Sequence, residues 1–342
     1  MAELDPSKIM QVGLGYWGSK TLLSAVELGL FTELARQPMT GKQIETKLGL
    51  HPRATYDFLD VILALGFLQR DGDGVDGVYR NTEETQAFLD RESPRYIGGI
   101  LEMTNARQFA FWNDLTEGLR TGKPQNEVKH TGKQIFETLY ADPVQLEGFL
   151  NAMTGISMGN FHLFAQKFDF SPYKTMCDAG GATALLSRIC AQHHPHLSFT
   201  SFDLPVVAPI AKKHIAAAGL SERIKTAEGN FFEDPLPKAD LITMGLILHD
   251  WNLENKMHLI RSAYDALPSG GAFVVIENLI DDPRRENVFG LLMSLTMMLE
   301  FGDAFDYTGA DFDGWCREVG FERTEVLHLA GPASAGIAYK AK

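Results

Sequence analysis

The chain is short of several things, and each shortage excludes something. Three cysteines, Cys177, Cys190 and Cys316, in 342 residues leave no CxxC pair. Neither a disulfide framework nor a zinc site is indicated, and reduced thiols in a cytoplasmic protein are expected. Basic residues are outnumbered, 31 Lys and Arg against 44 Asp and Glu, for a net charge of -13. Such a surface repels nucleic acid overall. No apolar run approaches the roughly 18 residues of a membrane span, and the polar MAELDPSK start argues against a secretory signal. Two phosphate-cradling patterns, a complete GxGxxG and GxxxxGK[ST], are missing as well.

What is present falls into three stretches. Residues 1–90 alternate short helices with a hairpin. Leu22, Leu23, Val26, Leu30 and Leu34 recur at helical spacing, and a second helix runs from Arg53 to Leu65. The pair Phe67–Arg70 and Val78–Arg80 flanks the turn DGDGVDG. Helix–turn–helix followed by a hairpin is a winged helix, a shape that suggests DNA. Here the would-be recognition helix sets Asp57 and Asp60 beside Arg53, where phosphate contact wants bases. A structural or dimerising role is the better reading. Residues 91–165 form a helical connector rich in Met and aromatic side chains, suited to core and to adaptable pocket walls.

From about residue 166 strands and helices alternate. Strands are expected at Thr175–Asp178, Leu197–Phe202, Ile224–Ala227, Ala239–Met244 and Ala272–Glu277. Helices are expected at Thr183–Gln192, Val206–Ala218, Asn255–Ala266, Leu291–Phe301 and Phe312–Val319, with two closing strands near 322–329 and 335–340. That series implies an α/β doubly wound parallel sheet, whose ligands sit beyond the carboxyl ends of the strands.

Four signals sit at those ends. Asp178-Ala179-Gly180-Gly181 is a glycine turn that lets backbone approach a ligand. Asp203, in Phe202-Asp203-Leu204-Pro205, is placed to accept hydrogen bonds from ribose hydroxyls. Asn230 and Phe231 follow the third strand and offer an amide and a stacking face to an adenine ring. His249, in Leu248-His249-Asp250-Trp251, has the ring whose ordinary pKa of about 6.5 suits proton abstraction near neutral pH. Glu277 and Asp306 are the two carboxylates placed to orient it. The run His193-His194-Pro195-His196 has no Cys or carboxylate at ligand spacing, so no metal site is read there.

Together, FDLP, GNFFEDPLP, LHDW and the Ala-Leu-Pro-Ser-Gly-Gly segment at 266–271 resemble the small-molecule O-methyltransferases of secondary metabolism. That family includes plant caffeate and isoflavone enzymes, acetylserotonin O-methyltransferase and bacterial polyketide and carotenoid enzymes. The likeness spans nearly the whole chain. It implies a Rossmann-like methyltransferase domain over 166–342 and a winged-helix dimerisation domain at the start, hence a homodimer. It implies S-adenosylmethionine beside Gly180, ribose on Asp203 and Leu204, and adenine by Asn230 and Phe231, with Tyr140 near the cofactor. It implies His249 as base with Glu277 and Asp306, and an acceptor pocket lined by Phe149, Met153, Met297 and Phe301.

The chain departs from the family pattern in places. Gly180-Gly181-Ala182-Thr183-Ala184 stands for GGGxG, and Gly229-Asn230 for Gly-Asp. Gly245 and Leu246 replace an Arg or Lys, and Asp306-Tyr307-Thr308 stands for Glu-Arg-Thr. The expected reaction is methyl transfer to the hydroxyl of a small aromatic or conjugated molecule. A phenol-like pKa of about 10 makes full prior deprotonation by histidine cost roughly 5 kcal/mol, so proton removal would accompany methyl movement. N-methylation, a member repurposed to other chemistry, and a non-catalytic dimeric regulator remain open alternatives.

Overall fold

The computed structural model describes residues 4–132, 140 and 142–342. It divides into two compact units, Met1–Ala110 and Phe111–Lys342.

In the first unit, α1 (Gly15–Glu27) and α2 (Leu30–Arg36) precede β1 (Met39–Thr40), α3 (Gly41–Leu48) and α4 (Pro52–Ala64). Thr40 starts α3 through a capping box with Gln43, so two free N–H groups at that end are satisfied. The strands β2 (Leu68–Asp71) and β3 (Val78–Asn81) form the hairpin, and β1 adds to it in the order β1-β3-β2. The apolar periodicity of α1, α2 and α4 becomes one core around Leu30, Phe31, Ile44, Leu59, Ile62 and Tyr79. On α4, Arg53 pairs with Asp57, and Asp60 holds Arg70 at 2.8 Å and the Tyr79 hydroxyl at 2.7 Å. The basic groups of this helix–hairpin pair are thus engaged by its own acids.

The second unit contains the long α5 (Pro143–Lys167) and then the alternating series. It runs β4 (Thr175–Ala179), α6 (Leu185–His193), β5 (Ser198–Asp203), α7 (Ala208–Ala217), β6 (Ile224–Glu228) and β7 (Leu241–Gly245). It continues with α8 (Leu253–Ala266), β8 (Ala272–Glu277), α9 (Val288–Phe301), α10 (Gly309–Val319), β9 (Arg323–His328) and β10 (Ser334–Tyr339). The strands make one sheet in the order β6-β5-β4-β7-β8-β10-β9.

β4 to β8 are parallel, as the strand–helix spacing predicts. The two closing strands make the sheet mixed at one edge. β10 runs antiparallel to both β8 and β9, because a connection of only a few residues between β9 and β10 cannot make a parallel crossover. β8 is buried at every position and reads as an apolar run up to its last residue, Glu277. Cores pack on both faces of the sheet, one containing Phe164, Leu186 and Val274, the other Ile242, Leu259 and Phe273. Chain order reverses between β4 and β7, and the crevice at their carboxyl ends is where a ligand of such a sheet belongs.

Candidate active site

Three loops meet at that reversal. After β4, Gly180 takes a φ of +75°, and a Cβ there would stand 2.4 Å from Ile247 Cδ1 and 3.9 Å from Phe231. The turns following β4, β6 and β7 therefore touch at one glycine. Its N–H and that of Gly181 donate to the Phe202 carbonyl at 2.9 and 3.2 Å, which ties the turn to the end of β5. Thr154 on α5 bonds Thr183 at 2.8 Å, hydroxyl to hydroxyl. The end of β7 is close-packed too: a Cβ on Gly245 would lie 2.8 Å from the Phe161 ring of α5.

The departures from GGGxG have a structural consequence. Ala182 and Ala184 adopt φ values of 50° and 56°, the left-handed region in which a Cβ crowds the following carbonyl. The turn keeps its glycine-type path in spite of its alanines. That path aims the Ala182 N–H at Asp203 Oδ2, 2.8 Å away, while Leu204 N–H reaches Oδ1 at 2.7 Å. Burial pushes the Asp203 carboxyl up to about 6 against these two donors. Behind it, Asp178 is buried and accepts from Thr243 Oγ1 at 2.8 Å; burial raises it to about 7.

Tyr140 lies close enough to Asp203 and Asp250 for both charges to add to the burial that raises its phenol. It packs with Phe149, Ala182 and Leu204 around Leu146, Leu150 and Val207. Phe149 is thus on the Asp203 side of the crevice, and Met153, one turn further along α5, adjoins the Thr154–Thr183 bond. Met297 and Phe301 belong to α9, which packs against the short turn Leu248–Asp250. Asn230 uses its Oδ1 to accept the Phe232 N–H at 3.1 Å, so the group it presents outward is Nδ2. Phe231 stands edge-on to Phe232 and Trp251.

His249 is buried at the carboxyl end of β7. Its Nδ1 is 3.5 Å from Asp306 Oδ1, and its Nε2 is 3.4 Å from Asp250 Oδ1. Glu277 does something other than orient the ring directly. Its Oε1 accepts the N–H groups of Ile247, Leu248 and His249 at 3.1, 2.7 and 3.3 Å. One carboxylate thereby organises the backbone that carries the histidine. Asp306 reaches the site because its strand-like segment is zipped beside the one after β8: Ile280 N–H donates to Tyr307 O at 2.9 Å. Thr308 then caps α10 in a capping box with Asp311. Asp306-Tyr307-Thr308 so divides into a carboxylate beside His249, a buried phenol influenced by Glu277, and a helix cap.

The ordinary histidine pKa does not survive this setting. Burial favours the neutral ring, but the Asp250, Asp306 and Glu277 carboxylates outweigh it and hold His249 well above its usual range. Sequence reading also missed a neighbour, Lys256 on α8, which is fully buried. The signal was available: Lys256 shares a helical face with Leu259, Ile260 and Ala263, a charge on an apolar stripe. His194 and His196 donate Nε2–H to the carbonyls of Ala165 and Phe170, at 2.7 and 3.2 Å, and so secure the lead into β5.

Comparison with known proteins accords with this geometry. The O-methyltransferase domain model matches residues 112–322 and the O-methyltransferase dimerisation domain model matches residues 10–91. The tetracenomycin polyketide synthesis 8-O-methyl transferase TcmO of Streptomyces glaucescens is 38% identical over 335 residues, 98% of this chain and 97% of that protein. The chain belongs to the O-methyltransferase family. As a member it is an S-adenosylmethionine-dependent enzyme. The N,N-dimethyltransferase OxyT of Streptomyces rimosus is 34% identical over 92% of this chain and 90% of its own length. Human N-acetylserotonin methyltransferase, solved in complex with SAM, superposes with a TM-score of 0.91 at 27% identity, covering 100% of this methyltransferase and 99% of that chain. Among the described residues no helix is long and apolar enough to cross a membrane.

Proposed function

We propose that this O-methyltransferase methylates a hydroxyl of a small aromatic or conjugated molecule, with His249 as general base, and works as a homodimer. The observation that carries the base assignment is the position of His249: at the end of β7, beside the switch-point crevice, with Asp306 on one ring nitrogen and Asp250 near the other. Homodimerisation is supported by the dimerisation domain match at residues 10–91. An aromatic acceptor is supported by the polyketide relative and by the Met and Phe side chains of α5 and α9.

The crevice suits the cofactor on its own evidence. Gly180 carries bare backbone to the crevice, with Ile247 packed where a Cβ would stand, and the Asp203 carboxylate is fixed by two backbone donors with room to accept more. In this reading Asp203, beside Leu204, accepts the ribose hydroxyls, Asn230 Nδ2 and Phe231 meet the adenine, and Tyr140 covers the site. Bound S-adenosylmethionine supplies a methyl already activated on a sulfonium cation. Everything else is positioning and one proton transfer.

That proton transfer turns on the carboxylates. A ring held at a raised pKa is a stronger base once neutral, which narrows the gap to a phenol; it is also less often neutral at pH 7. A cation in the crevice opposes protonation of His249 and frees the imidazole to act. Phe149, Met153, Met297 and Phe301 would confine the acceptor between α5 and α9. The test is His249→Ala: turnover should collapse by two or more orders of magnitude, as expected for general-base loss. Cofactor binding by calorimetry should stay near normal. Turnover retained within a few-fold would overturn the base assignment.

One second reading has a specific support, the similarity to an N,N-dimethyltransferase. An amine acceptor would be drawn to the same acidic cluster as a cation, then lose its proton to His249. Parallel assays on phenols and on arylamines of matched size separate the two.

A further inference from the structure

The helix α9 is held unevenly along its length. Its first turns are open, with Val288, Phe289 and Leu292 exposed. Its last two turns are buried, at Thr296, Met297, Leu299 and Glu300. The segment 118–126, far earlier in the chain, covers them. A Cβ on Gly118 would lie 2.9 Å from Leu299 Cδ2, and one on Gly302, just past the helix, 3.1 Å from Pro124 Cδ. A helix leaves its last four carbonyls without partners of its own. Here Gly302 N–H donates to the carbonyl of Met298 at 2.9 Å, Gln125 N–H to that of Leu299 at 2.8 Å, and Asn126 Nδ2 to that of Glu300 at 2.9 Å. Asn126 Nδ2 also donates to Glu300 Oε2 at 2.8 Å, and its Oδ1 accepts the Val128 N–H at 3.2 Å. Both residues are buried, Asn126 at 3% and Glu300 at 4% exposed. A carboxylate is disfavoured at the negative end of a helix, so this one amide offsets both a helix-end carbonyl and a misplaced charge.

From the other side the 248–250 turn packs on α9, Asn252 Nδ2 donates to Asp303 Oδ2 at 2.8 Å, and Ser294 Oγ accepts the Asp306 N–H at 3.2 Å. The end of α9 is therefore gripped between the 118–126 segment and the turn that carries His249. We infer that Asn126 is a positioning residue for the acceptor: by capping α9 it fixes where Met297 and Phe301 stand relative to His249, and so sets how well an acceptor fits. This rests on the reading of Met297 and Phe301 as walls of the acceptor pocket. The groups assigned to the cofactor, Gly180, Asp203 and Asn230, follow β4, β5 and β6, and none of the contacts above reaches them. A wall contributes binding that ground state and transition state share, so its displacement raises KM and spares kcat.

The test uses three variants of the full-length enzyme. Asn126→Leu keeps the volume and removes both donors. Asn126→Asp keeps the shape and sets a charge against Glu300. Asn126→Asp combined with Glu300→Gln restores the side-chain bond with donor and acceptor exchanged. The probes are 1-naphthol as acceptor, at saturating S-adenosylmethionine, and S-adenosylhomocysteine by calorimetry. The KM for 1-naphthol should rise about tenfold in Asn126→Leu and further in Asn126→Asp, then fall back in the double variant, a recovery that general loosening of the fold would not produce. Turnover number and affinity for S-adenosylhomocysteine should stay within about threefold of native. Asn126→Ala supplies the same readings if the larger substitutions fold poorly. An unmoved KM in a folded variant overturns the inference, and so does a KM that rises only with an equal loss of cofactor affinity. Phe301→Ala tests the reading beneath it: an unmoved KM there sinks the wall assignment, whereas a raised KM in Phe301→Ala beside an unmoved one in Asn126→Leu sinks the role of Asn126 alone.

Discussion

Replacing Ala182 or Ala184 by glycine should be almost free, although an alanine-to-glycine change normally destabilises. Both residues sit at positive φ, where an L side chain costs roughly 1–2 kcal/mol. Glycine removes that strain. It also loosens the unfolded chain, which costs about 0.4–1 kcal/mol. The methyl lost differs between the sites. Ala184 is fully buried in the core under the sheet, so about 0.8 kcal/mol of burial goes with it; Ala182 is half-buried and loses about half as much. Ala182→Gly should therefore be neutral to about 0.5 kcal/mol more stable, and Ala184→Gly neutral within about 0.5 kcal/mol. Ala191 is the internal control, because it is as deeply buried but lies in the regular helix α6. There glycine forfeits helix propensity as well as the methyl, about 2 kcal/mol together. Thermal unfolding should separate them: Ala191→Gly falls by about 4–8 °C and the two turn variants stay within about 2 °C of the parent. The Ala182 N–H survives the change, so its bond to Asp203 and the cofactor affinity should both persist. Turn variants that unfold as early as Ala191→Gly would refute the claim that the alanines of this turn are held in a strained glycine conformation.

Two further outcomes are expected. Glu277→Gln weakens three backbone hydrogen bonds under His249 and removes one of its acids; turnover should fall at least about tenfold while the acid limb of the rate profile moves to lower pH, and an alkaline shift would contradict the assignment. Asp203 and Asp178 carry folded pKa values of about 6 and 7, above their ordinary value, so the stability they contribute is present below about pH 4 and is lost as pH rises through 6 to 7. The melting temperature of the cofactor-free enzyme should drop between pH 5 and 8 and flatten in Asp178→Asn; a parent enzyme whose melting temperature is already flat over that range would show that these acids are ionised in the fold.

Sequence patterning alone reached the order of strands and helices, the carboxyl-end loops and most of the residues in them. These are local properties. Apolar periodicity, glycine at a tight turn and an acid closing a strand each act over a few residues, and a parallel series constrains where its loops must gather. Hence Gly180, Asp203 and His249 could be placed before any fold was seen. The family likeness added the roles assigned to them.

Tertiary structure decided what depends on neighbours far apart in the chain. The antiparallel β10 came from the short link to β9, whose length overrides the parallel series. Glu277 proved to grip the backbone of residues 247–249 rather than the ring, since its strand ends beneath that turn. Asp250, unremarked inside its motif, joined Asp306 beside the imidazole. The pKa of His249 moved upward because three carboxylates from three segments converge on it, and convergence has no signature in spacing. Lys256 lay on an apolar stripe, visible as an anomaly but without a setting until the fold brought the Trp251 carbonyl and the Phe305 ring to it. A sequence can say which groups stand at a pocket's rim; which charges share one buried volume, and so what protonation each holds, is settled only by the packing that brings them together.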